Sequence, residues 1–96
     1  MNGRALVGPA SIPRLAAHMK LRFNKARDSW TIQAPERSFM LDAVAHAIVS
    51  RCDGTATIGE IIDDLCRAYA EAPRERIEPD VLSLIQNFAD KGVMTL

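Results

Sequence analysis

From His18 onward, apolar and polar residues fall into regular patterns. Met19, Leu21 and Phe23 alternate with His18, Lys20 and Arg22, the two-residue period of a strand with one buried face. Asn24 to Ser29 is polar. Trp30, Ile32 and Ala34 then alternate with Thr31 and Gln33, so the two runs predict an antiparallel hairpin. Pro35 closes the second run, because proline has no N–H to give a ladder. Arg37 to Leu41 reads as a third short strand, although Phe39-Met40-Leu41 would also suit the start of a helix.

After Asp42 the spacing turns helical. Val44, Ala45, Ile48, Val49 and Cys52 recur at steps of three and four, one apolar stripe of a helix. Asp42 is placed to cap its first turn, and Asp53-Gly54 to end it, with glycine supplying the left-handed conformation. Thr57 and Glu60 have the spacing of a capping box. Ile58, Ile61, Ile62, Leu65, Cys66 and Tyr69 follow as a second stripe that Pro73 terminates. Glu78-Pro79-Asp80 has the form of a third helix start, with proline at the first helical position. Its stripe is Val81, Leu84, Ile85 and Phe88, and Gly92 stops it. Val93 to Leu96 is an apolar tail expected to pack back on the core. Met1 to Pro13 holds Gly3, Gly8, Pro9 and Pro13 without a sustained period. It reads as a flexible arm, residues 1–13, before a single domain from Arg14 to Leu96. Strands followed by helices predict an α+β fold: a small three-stranded antiparallel sheet and then three helices, in the manner of a winged helix-turn-helix.

Composition narrows the function classes. Ninety-six residues, 48% apolar and 25% charged, suit one globular core. Twelve basic and twelve acidic residues cancel, so no net field favours nucleic acid or an anionic membrane. No apolar run approaches the roughly 20 residues that span a bilayer, and the start does not read as a signal peptide; a cytoplasmic location is expected. Cys52 and Cys66 are too few for a disulfide scaffold or a four-ligand zinc site, and both sit on apolar stripes as small hydrophobes.

The catalytic inventory is nearly empty. His18 and His46 are isolated from any nucleophile, and Asp63-Asp64 point about 100° apart on a helix. There is no glycine-rich phosphate loop, no nucleophile elbow and no zinc-binding histidine pair. The sequence therefore predicts no enzyme, no cofactor and no metal site. DNA binding, the natural thought for this helix order, meets a third helix whose charges are Asp80, Asp90 and Lys91, a poor match to a polyanion. A peptide is the better ligand. A three-stranded sheet ends in an edge whose unpaired amides can accept an extended chain. Leu82 and Ala89 broaden the apolar surface of the third helix, either as a second wall of such a groove or as cover for the tail. Self-pairing of the same edge, as a homodimer, is the remaining alternative to a monomer.

The residues also carry a resemblance. Ile12-Pro13-Arg14-Leu15, Leu21-Arg22-Phe23, Ala26-Arg27 and Ala34-Pro35-Glu36-Arg37, then Cys52-Asp53-Gly54, Thr57-x-x-Glu60-Ile61, Asp80-Val81-Leu82 and Ala89-Asp90-Lys91-Gly92-Val93, together resemble the PqqD family of pyrroloquinoline quinone biosynthesis. The likeness runs from Ile12 to Leu96. It implies a peptide chaperone that binds the ribosomal precursor peptide PqqA and presents it to the radical S-adenosylmethionine enzyme PqqE. It further implies that the peptide adds as a strand beside the third strand, against the third helix. The matching positions are Arg37, Ser38, Phe39, Met40 and Leu41 on the strand, with Leu82, Ile85, Gln86 and Ala89 on the helix. Ser38 is smaller and more polar than such strands often carry, which implies a differently shaped pocket. Gly59, in the first turn of the second helix, departs from strong helix formers.

Overall fold

The computed structural model describes residues 6–96. Its elements are β1 (Arg14–Leu15), β2 (Lys20–Asn24), β3 (Ser29–Gln33), β4 (Ser38–Leu41), α1 (Ala43–Val49), α2 (Ile58–Ala68), α3 (Arg74–Asp90) and β5 (Met94–Thr95). β2, β3 and β4 form an antiparallel sheet in that order. The α+β organisation therefore stands as the alternating and helical periods predict.

Register follows from the period of two. Leu21, Ile32 and Phe39 lie across from one another, as do Phe23, Trp30 and Leu41. This row makes one apolar face that the helices cover. Lys20, Gln33 and Ser38, and Arg22, Thr31 and Met40, make the other. Thr31 is nonetheless buried, because it sits on the central strand between Arg22 and Met40, and its hydroxyl donates to the Arg22 carbonyl. Phe23 lies at the sheet corner, half exposed, with its ring edge-on to Trp30.

The helices differ from expectation in three ways. α1 ends at Val49 rather than near Asp53, and its buried positions are Ala47, Ile48 and Val49. Asp42 does cap it, its carboxylate accepting from Ala45 N–H at 2.7 Å. With only two turns the helix cannot carry the longer stripe, and Val44 in its first turn is 58% exposed. α2 begins with the expected reciprocal capping box between Thr57 and Glu60. It closes at Ala68, leaving Tyr69 as an exposed C-terminal cap and not a core residue. α3 starts at Arg74, so Pro79 is its sixth residue rather than its first. A proline there removes one helical bond and crowds the carbonyl four residues back, at a cost of about 3 kcal/mol. Val81 in the core cluster, Ile77 half-buried against it, and the Arg74 guanidinium paired with Asp63 and Glu78 favour the helix despite that cost.

β1 and β5, not foreseen from the sequence, pair Arg14 with Thr95 and Leu15 with Met94. They fasten the two ends of the domain together. The chain before β1 is anchored as well. Ile58 N–H donates to the Ser11 carbonyl, Gly59 N–H to Pro9 and Gly54 N–H to Pro13, while Pro13 is fully buried. The expected boundary at Pro13 thus coincides with no break in packing from Val7 onward; the arm before Leu6 lies outside the described residues. Gly54 has φ +83°, and a Cβ there would meet Arg14 Cδ at 3.0 Å, so the β1–α2 junction requires glycine.

Beneath the sheet, Ile32 and Leu41 meet Ile48, Ile58, Ile61, Leu65, Val81, Ile85, Phe88 and Val93. Each of these large side chains contributes about 1.5–3 kcal/mol by leaving water. Cys52 is part of this core, and burial followed by the nearby Asp53 charge pushes its thiol up to about 12. Folding therefore keeps Cys52 protonated where the unfolded chain would release the proton. That stabilisation is complete below the ordinary thiol range and is lost as pH rises from about 9 towards about 12. Iodoacetamide at pH 8 is expected to alkylate the half-buried Cys66 in the native domain and Cys52 only in denaturant. Peptide mapping by mass spectrometry reads the difference, and equal labelling of both in the native state contradicts the buried position of Cys52.

Candidate functional site

The backbone of β4 sets the site. Ala34 N–H donates to the Arg37 carbonyl at 2.9 Å across the Pro35-Glu36 turn, which makes Ala34 and Arg37 a hydrogen-bonded pair. Antiparallel pairs alternate between bonded and non-bonded. Ile32–Phe39 and Trp30–Leu41 are therefore bonded, while Gln33–Ser38 and Thr31–Met40 are not. The N–H and C=O groups of Phe39 and Leu41 turn inward to β3. Those of Ser38 and Met40 turn outward. Among the described residues no strand pairs with β4 on that outer side, so the sheet ends in an open row of amides.

A helix wall runs past this row. Phe39 meets Phe88 of α3 edge to face, with ring centroids 5.9 Å apart. At the same end the Arg37 guanidinium donates to the Lys91 carbonyl at 2.9 Å. Further along, Ala43, Val44 and Ile48 of α1 face Ile77, Asp80 and Val81 of α3 across a pocket of about 330 Å³ that Tyr69 also lines. The row of amides and this pocket lie along one side of α3, from Lys91 back to Ile77, roughly 21 Å at 1.5 Å per residue. Its lining is mainly apolar, with Met40 60% exposed at the open edge.

The residues expected at the site divide into two groups. Arg37, Ser38, Phe39, Met40 and Leu41 lie along β4 as the pattern predicts, but in alternating roles. Ser38 and Met40 offer main chain, Phe39 offers part of its ring, and Leu41 is buried under the sheet. On α3 the phase differs. At 100° per residue, Leu82, Gln86 and Ala89 share one flank and Ile77, Asp80, Leu84 and Lys91 the opposite one. The first flank is turned to the N-terminal segment, where Gln86 Oε1 accepts from Val7 N–H at 2.8 Å. The second flank meets α1 and β4. Ile85 lies between the two, fully buried in the core, and presents no surface to a guest. Val44, Ile77 and Lys91, which border the trough, lie outside the expected set because a face-counting argument cannot tell which flank of a helix its neighbours will cover. Nothing in the sequence sets Val44 apart from the rest of its stripe; its exposure is a property of the fold.

The remaining candidate chemistry is accounted for by structure. His46 stacks on Trp30 with centroids 4.4 Å apart. Asp64 accepts from the Arg51 guanidinium, which holds its carboxyl below the usual range and ties the end of α1 to α2. Among the described residues no cluster of three His, Cys, Asp or Glu is placed to hold a metal, and no helix is long and apolar enough to cross a membrane.

Comparison with known proteins agrees with this architecture. Residues 29–94 match the family model described as coenzyme PQQ synthesis protein D (PqqD). A "PqqA binding protein" of Bradyrhizobium diazoefficiens is 42% identical over 93% of this chain and 85% of its own length. One from Rhodopseudomonas palustris strain BisB5 is 44% identical over 93% and 86%. The solution structure of the PqqD truncation of Methylobacterium extorquens PqqCD, described as a functional and stand-alone recognition element for ribosomally synthesised, modified peptides, superposes with a TM-score of 0.80. It is 33% identical, with both chains fully covered. The crystal structure of PqqD from Xanthomonas campestris gives 0.58 at 34% identity, covering 94% of this chain and 99% of that one. A model match over most of the chain, joined to relatives of this identity and coverage, places it plainly: the chain belongs to the PqqD family.

Proposed function

We propose that this domain is a peptide chaperone of pyrroloquinoline quinone biosynthesis: it binds the precursor peptide PqqA as an added strand on β4 and presents it to the radical S-adenosylmethionine enzyme PqqE. The observation that carries the reading is the outward main chain of Ser38 and Met40 beside an apolar helix wall. Relatives named for PqqA binding support the identity of the guest. Pairing through amides gives affinity that tolerates many guest side chains, while the Val44–Ile77–Tyr69 pocket selects an apolar one. The domain itself does no chemistry. It holds a flexible chain extended and raises its local concentration at a partner's active site.

Isothermal titration of the domain with synthetic PqqA tests the reading. A Kd below about 50 μM, roughly −6 kcal/mol, is expected, with the β4 amides of Ser38 and Met40 shifting most in a parallel NMR titration. A guest strand that protects neither amide, or no binding with or without PqqE, overturns it.

A further inference from the structure

Two cations lie against the Phe39 ring at one end of the open edge, and among the described residues neither has an ion-pair partner. Arg37 Cζ lies 5.4 Å and Lys91 Nζ 5.7 Å from the centroid of the Phe39 ring. Arg37 spends one donor on the Lys91 carbonyl. No carboxylate lies within ion-pair distance of either among the described residues; on the helical side Arg51, Arg67 and Arg74 are paired with Asp63, Asp64 or Glu78, and Arg76 is not. Holding two like charges against one ring is unfavourable between them, and the ring quadrupole offsets it only modestly. The opposite end of the same trough is of mixed charge: Asp42 spends its carboxylate on capping α1, and the apolar pocket is lined by both Asp80 and Arg76. The excess positive charge of the trough is thus at its Arg37–Lys91 end.

We infer that Arg37 and Lys91 form a carboxylate subsite, which receives an Asp or Glu of the guest peptide within two residues of the one facing Ser38 and so fixes which way the guest runs. The inference rests on the strand-addition reading above. Ser38 presents its amide outward beside Arg37, so an added strand must carry a side chain past both cations. An acidic one gains charge-assisted hydrogen bonds there. A basic one meets repulsion from both cations. Lys91, not among the residues expected to line the groove, becomes a specificity residue, and the Arg37 bond to its carbonyl ties the two residues together.

The test is a set of titrations with PqqA in which each Asp and Glu is replaced in turn by its amide, with a further peptide amidated at its C-terminus. Each is run against the unsubstituted domain and against Lys91→Met, which keeps the carbonyl that Arg37 uses. One side-chain replacement is expected to raise Kd about tenfold in the unsubstituted domain and by less than about twofold in Lys91→Met, the difference being about 1 kcal/mol or more. An effect confined to the C-terminal amide would make the anion a chain terminus and overturn the side-chain assignment. Tight binding that no carboxylate replacement alters overturns the subsite and leaves strand addition standing. Failure of PqqA to bind at all overturns both. The peptide series decides the matter in the unsubstituted domain even should Lys91→Met lose its fold.

Discussion

Truncating Phe88 to alanine is expected to destabilise the domain by about 3–5 kcal/mol, the usual cost of emptying a buried aromatic site. For a chain of this size that lowers Tm by roughly 15–30 °C, and guanidinium titration followed by far-UV circular dichroism reads it directly. Phe88 is 7% exposed and lies between the core beneath α3 and the Phe39 ring of β4. Its loss therefore opens a void between the core and the sheet. It also removes the edge-to-face partner that holds Phe39, a contact worth about 0.5–1.5 kcal/mol beyond area. A destabilisation under about 1 kcal/mol would mean that α3 is rotated relative to the sheet and that its wall beside β4 is not the one described.

That same helix shows where the sequence was legible and where it was not. Its stripe of Val81, Ile85 and Phe88 was readable because a period of 3.6 identifies a buried face without reference to what covers it. Its start was not readable. Pro79 carries the signature of a first helical residue, yet one more turn forms ahead of it because Ile77 finds a pocket and Arg74 finds Asp63. Both are tertiary contacts that no local rule contains. The same limit applies to the flanks. Leu82 and Lys91 are both off the stripe, and only the fold decides that Lys91 meets Phe39 while Gln86, beside Leu82, meets Val7. The strand half was easier. Alternation from Met19 to Leu41 fixes which side chains share a face, and the single bond from Ala34 to Arg37 then fixes which amides of β4 look outward. The β1–β5 pair escaped notice because two-residue strands have no period to detect. Their partners stand about eighty positions apart in sequence, a pairing that only closure of the fold brings about.

Substituting proline for Met40 is expected to weaken PqqA binding about tenfold or more while leaving the fold in place. The Met40 N–H belongs to a non-bonded pair and points away from β3, so its removal breaks no bond of the sheet, and proline is tolerated at an edge strand facing outward. Tm should move by no more than a few degrees. A guest strand, by contrast, loses a main-chain donor worth about 0.5–1.5 kcal/mol and meets a pyrrolidine ring where its own carbonyl should approach. Met40→Ala separates the two contributions, since it keeps the N–H and removes only a 60% exposed side chain and its sulfur contact with the Arg27 guanidinium. Strand addition predicts that the alanine variant binds within about threefold of the parent, a difference of about 0.7 kcal/mol. The alternative, a guest gripped by side chains alone, predicts the reverse order, because the thioether is then the contact and the amide is idle. Equal affinity of the parent and the proline variant, with both folded, would take the outward amide of β4 out of the interaction and move the guest to the α1–α3 pocket alone.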